Sequence, residues 1–107
     1  MEVRFFKTAS GAEPVRDYLR GLSKGDRRKV GIAIRDIQEH GFEGSTVTMR
    51  SLGEKLWELK IDAQRIFYVV LMGPAMVLLH AYRKQGQKAP HGELDVARTR
   101  AKEALSS

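Results

Sequence analysis

The run LWELKIDAQRIFYVVLMGPAMVLLHAYRK, Leu56 to Lys84, decides how this chain folds. Leu56-Trp57-Glu58-Leu59-Lys60-Ile61 alternates, so Trp57, Leu59 and Ile61 share one face of a strand and Leu56, Glu58 and Lys60 the other. Asp62-Ala63-Gln64 has turn composition. Arg65 to Met72 and Ala75 to Lys84 are rich in β-branched and aromatic residues and meet at Gly73-Pro74, which predicts a hairpin. Links this short make the three strands an antiparallel meander. Ile66 to Tyr82 carries no formal charge over 17 residues. A membrane-spanning helix needs ~20 apolar residues, and the Gly73-Pro74 break argues for strands instead.

Working outward, Gly44 to Lys55 is polar and reads as a connection. Before it, Val15, Tyr18, Leu19 and Leu22 follow at helical spacing behind Ser10-Gly11-Ala12-Glu13, which has the form of a capping box, and Pro14. Val30, Ala33, Ile34 and Ile37 form a second stripe behind Ser23-Lys24-Gly25-Asp26, and His40-Gly41 closes it. The two stripes predict a helical hairpin covering one sheet face. Val3 to Phe6 is a strand candidate, and Gly92 to Leu105 a terminal helix with Leu94, Ala97 and Ala101 on one side. The expectation is a single α+β domain over residues 1–107: N-terminal strand, helical hairpin, antiparallel three-strand meander, C-terminal helix, in the order β-α-α-β-β-β-α.

A chain of 107 residues buries roughly two thirds of its unfolded surface, enough for one modest core. It has no cysteine, which excludes a disulfide framework and a thiolate metal site and fits a reducing cytosol. Met1-Glu2-Val3-Arg4 lacks the basic head and apolar run of a signal peptide, so the expected location is the cytoplasm. His40, His80 and His91 lack metal-ligand spacing, and neither a phosphate-binding glycine loop nor a dinucleotide fingerprint occurs.

The formal charge is +6, unevenly spread. Residues 1–62 are nearly balanced, whereas 63–92 hold Arg65, Arg83, Lys84 and Lys88 with no acid. In a meander, Lys60 and Arg65 flank one turn and Arg83 and Lys84 end the strand paired to Arg65, so the four are expected to converge at one sheet edge. Clustered cations repel unless a polyanion relieves them, which points to a phosphate backbone. Taken singly, each cation is better accounted for as a solvated strand end. Trp57, His80, Tyr68 and Tyr82 are accounted for as core rings.

LWELKID, RIFYVV and VLLHAYRKQGQKAP, in this order after a helical pair, resemble the RelE/HigB superfamily of toxins from bacterial toxin–antitoxin modules. The resemblance is nearest to the phage-derived addiction-module killers and strongest from Leu56 to Pro90. It implies a RelE-like fold and a ribosome-dependent mRNA endonuclease that directs the RNA 2′-OH at the adjacent phosphate without metal or cofactor. It also implies a cognate antitoxin, of the HigA-like helix-turn-helix kind, and mRNA on the ribosome as partners, with no membrane. By this resemblance Arg65, Arg83 and Lys60 are expected catalytic cations; Lys84 joins them from the strand ends, and Lys55, Gln87 and Lys88 are the expected RNA contacts. Where RelE carries a tyrosine beyond the last strand, this chain has Gln87 and Lys88, which leaves His80, Tyr82 and His91 as acid/base candidates. The related ParE toxins share the fold and bind DNA gyrase without cutting RNA, which is the alternative reading.

Overall fold

The computed structural model describes residues 1–86 and 90–106. Its elements run β1 (Glu2–Phe5), α1 (Pro14–Arg20), α2 (Lys24–Gly44), β2 (Thr48–Gly53), β3 (Leu56–Ile61), β4 (Gln64–Leu71), β5 (Ala75–Arg83) and α3 (His91–Ser106). The strands form one five-stranded sheet in the order β1-β5-β4-β3-β2. Only β1 and β5 pair in parallel.

The expected elements are present, with one more strand than the sequence suggested. β2 lies inside the stretch read as a connection, so the order is β-α-α-β-β-β-β-α and the meander has four strands. The reason is its position at the sheet edge. Leu52 and Met49 are half-buried and the other β2 residues exposed, so no strong alternation marks it. Ser10 is not a capping residue for α1; its hydroxyl meets that of Thr8, and Glu13 occupies the N-cap with its carboxylate paired to Arg16 rather than capping the helix amides. Ser23 does cap α2, accepting from the Asp26 amide. Gly41 takes φ 70°, the left-handed conformation that a side chain resists, and kinks α2 there.

The sheet is covered on both faces. α1 and α2 press Val15, Val30 and Ile37 onto Leu59, Ile66, Tyr68, Met76 and Leu78. α3 lays Ala97, Ala101 and Ala104 on Leu56, Phe67, Val69, Val77 and Leu79. Small residues on α3 let its backbone approach the sheet closely. The expected face of Trp57, Leu59, Ile61, Ile66, Tyr68 and Val70 does meet the helical hairpin, but its distal end is open: Trp57 and Val70 are each 37% exposed.

One irregularity controls the site. β4 and β5 pair Tyr68 with Leu78 but Phe67 with His80, so Leu79 is an extra residue, a β-bulge. A bulge reverses which face every later residue takes. Leu78 therefore faces α1 and α2, while Leu79, His80 and Tyr82 face α3.

Candidate active site on the sheet

The bulge changes which side chains meet. With unbroken alternation, Arg83 would share a face with Arg65. Instead Tyr82 is the cross-strand partner of Arg65, and Arg83 pairs with Gln64. Gln64 faces the helical hairpin, where its side chain accepts the Tyr18 hydroxyl. Arg83 lies on that side too, its guanidinium 3.5 Å from Asp26 at the start of α2. The expected convergence of four cations is thus divided between two faces.

Lys60 and Arg65 do meet. They pair directly across the Asp62-Ala63 turn, on the α3 face. The main chain of Lys84 donates to Ala63 O at 2.8 Å, which holds Lys84 at the same sheet end. Lys55 sits in the β2–β3 turn at the far end of β3, with φ 69°, and so is remote from Lys60 and Arg65. His91 is the exposed first residue of α3. Gln87 and Lys88 lie outside the described residues.

Two rows of side chains cross the sheet beside one another. Thr48, Lys60, Arg65 and Tyr82 align in successive register; so do Arg50, Glu58, Phe67 and His80. Glu58 is only 2% exposed. Among the described residues its one ion-pair partner is Arg50, at 3.6 Å on the edge strand. A buried carboxylate is costly unless it is paired, so its place in the middle of the sheet needs a reason.

Arg65 Nη1 donates to the carbonyls of Asp62 (2.6 Å) and Gln64 (3.0 Å), which fixes the guanidinium over the turn. Among the described residues its buried Nε finds no hydrogen-bond partner, and neither does the buried Tyr82 Oη. Burial raises the Tyr82 phenol above its ordinary pKa; the Glu58 carboxylate adds to the rise, and Arg65 opposes it. The phenol therefore stays protonated at neutral pH, close to both groups.

His80 stacks on Phe67 and is held from both sides. Arg100 Nη1 lies 3.1 Å from Nδ1, and Nε2 lies 3.3 Å from Glu93 Oε1. A guanidinium only donates, so Nδ1 accepts and the ring proton sits on Nε2, directed at Glu93. Arg100 also donates to Leu79 O, in the bulge, at 3.0 Å. This lashes α3 to the sheet.

Glu58, Arg50, Glu93 and Arg100 are not among the site residues expected from the sequence. Glu58 left a trace there, as an acid in mid-strand between Leu56 and Lys60 on one face. Arg50 fell in the unrecognised β2. Among the described residues no group of three or more His, Cys, Asp or Glu is placed to hold a metal ion.

A buried carboxylate, a fixed guanidinium, a protonated phenol and a lysine on one sheet face form a set able to move protons beside an anion. The family model described as phage derived protein Gp49-like (DUF891) matches residues 17–102, nearly all of the sheet and every residue of this set. The chain belongs to the Gp49-like family. That family is part of the RelE/HigB-type toxin superfamily, associated with toxins of toxin–antitoxin systems, and it implies an antitoxin partner. No curated protein matches the chain. Among the described residues, no helix of this Gp49-like protein is long and apolar enough to cross a membrane.

Proposed function

We propose that this Gp49-like protein is the toxin of a toxin–antitoxin pair, nearest to the addiction-module killers, and that it cleaves mRNA on the ribosome. The carrying observation is the juxtaposition of Glu58, buried with a single basic partner among the described residues, and the two polar atoms of Arg65 and Tyr82 that have none among them.

In this reading Glu58 accepts the proton of the RNA 2′-OH. The freed oxygen bonds to the adjacent phosphorus, and the bond from phosphorus to the 5′-oxygen breaks. Tyr82 gives its proton to that leaving oxygen. The products are a 2′,3′-cyclic phosphate and a 5′-hydroxyl; no bond is oxidised or reduced. Arg65 and Lys60 offset the charge that accumulates on the phosphoryl oxygens, and Arg65 can do so without reorganising because the turn carbonyls already hold it. His80, with its proton committed to Glu93, positions α3 beside the site. The antitoxin we expect is a helix-turn-helix protein of the HigA kind.

The test is incubation of purified protein with translating ribosomes and end-labelled mRNA. The expected products are fragments bearing 2′,3′-cyclic phosphate, lost with Glu58→Gln. Intact mRNA with wild-type protein, together with inhibited DNA gyrase, would move the assignment to a ParE-like inhibitor.

A further inference from the structure

The exposed side of α2 carries cations that the candidate active site does not use. Residues 24–35 hold Lys24, Arg27, Arg28, Lys29 and Arg35 against the single acid Asp26. Two of these are structural: Arg27 reaches the carbonyls of Arg20 and Leu22 at the end of α1, and Lys29 bonds Asp62 at 2.8 Å. The others form a ridge. Lys24, Arg28 and Arg35 recur at intervals of four and seven, one helix face, and all three are exposed. Lys24 and Arg28 have neither an ion pair nor a hydrogen bond among the described residues, and Arg35 meets only the exposed Glu39.

The ridge is continuous with the site. Asp26 and Lys29, in the first turns of α2, are joined to Arg83 and to Asp62 at the sheet end that carries Lys60, Arg65 and Lys84. These two acids are both neutralised by cations already, so the band from Arg65 to Arg35 is positive along its length. Between Arg28 and Arg35 lie Gly31, where a Cβ would meet open space, and Ile32, 60% exposed. From Lys24 to Arg35 the helix rises ~16 Å.

We propose that the RNA backbone leaves the candidate site over the sheet end and continues along α2, held through phosphates by Lys24, Arg28 and Arg35. This rests on the RNA reading above and extends the substrate from the scissile step to a longer tract. An acidic protein helix fits the ridge less well. A stable protein interface covers roughly 800 Å² on each partner around an apolar centre, and Ile32 is the one large apolar residue on this face. Phosphate contact needs only accessible charge.

The test uses 2′-O-methyl RNA, which cannot be cut, so that binding is read apart from cleavage. Affinities of oligomers of ~4 and ~20 nucleotides are measured by fluorescence anisotropy across a salt series. Lys24→Glu/Arg28→Glu/Arg35→Glu is compared with Arg4→Glu/Lys7→Glu/Lys102→Glu, which changes net charge equally on other surfaces. Thermal melts establish that both are folded, and Lys24→Gln/Arg28→Gln serves if the reversal triple is not. The ridge triple should bind the long oligomer at least ~10-fold more weakly and flatten its log–log salt slope by about 2, with the short oligomer unaffected. The control triple should do less. Equal loss in both triples, or none in the ridge triple, overturns the proposal. So does unchanged RNA binding with lost binding of an acidic helical peptide. If wild-type protein binds neither oligomer, the ridge proposal fails while cleavage on translating ribosomes still decides the RNA reading, so the two failures are distinguishable.

Discussion

Arg65 and Tyr82 stand opposite one another in the β4–β5 ladder, and each presents a buried polar atom without a partner among the described residues. A buried unsatisfied group lowers stability, so its persistence in two facing residues fits a place kept for a ligand. Tyr82→Phe should therefore leave the melting temperature unchanged or raised, since it removes an unmade hydrogen bond, and should lower the single-turnover cleavage rate. Arg65→Ala should lower that rate about 100-fold, the scale at which one preorganised donor acts. A Tyr82→Phe protein that is destabilised and fully active would show the phenol to be structural.

Arg83 offers the opposite expectation. It sits on the helical-hairpin side, 3.5 Å from Asp26, with its own side chain exposed and that of Asp26 half-buried. Exposed ion pairs contribute ~1 kcal/mol at most. Arg83→Ala should cleave ribosome-bound mRNA within a few-fold of the parent rate and melt slightly lower. A loss as large as that of Arg65→Ala would mean that Arg83 crosses to the other side of the sheet end when RNA binds.

How much of this could be read from the sequence turns on single residues. The period-2 pattern of Leu56 to Ile61 and the helical stripes are summed over many side chains, so they survive local irregularity and give the layers correctly. β2 was invisible because an edge strand needs no apolar alternation. That Lys60 and Arg65 meet was legible because they flank one short turn, although that turn holds two residues, Asp62 and Ala63, where the composition suggested three. The place of Arg83 did not follow, because one unpaired residue, Leu79, inverts the remainder of β5. The stretch MVLLHAY has no glycine or proline to mark the bulge. Glu58 was legible as an outlier in its strand, but its burial depends on β2 lying alongside.

The core offers a graded check of the helical stripe. Ile37 is completely buried among Leu59, Ile66 and Tyr68, whereas Ile34 is only partly buried against the same cluster. Ile37→Ala should cost ~2–5 kcal/mol in chemical denaturation, and Ile34→Ala distinctly less. Equal costs would place the two residues at equal depth, contrary to the packing of α2.

Asp36 supplies the prediction for pH. The Ser45 hydroxyl (2.7 Å) and the Thr46 amide (3.1 Å) both donate to Oδ2, and His40 Nδ1 lies 3.0 Å from Oδ1. These bonds, that of Ser45 foremost, hold the Asp36 carboxyl below its ordinary pKa. They also tie α2 to the chain entering β2 across the Gly41 kink, and Ser45 Oγ in turn accepts the Val47 amide at 3.1 Å. A carboxyl whose folded pKa is depressed stabilises the fold above its unfolded value, about 3.9, and that contribution disappears as pH falls through the lower folded value. Asp36→Ala should thus have a lower urea midpoint than the parent at pH 7, and the two midpoints should converge on acidification below about 3.9. Hydrogen exchange at pH 7 should localise the change to Thr46 and β2, leaving the β4–β5 amides protected, because the edge strand can open without the centre of the sheet. A midpoint difference that persists undiminished into acid would assign the effect of Asp36 to packing rather than to its charge.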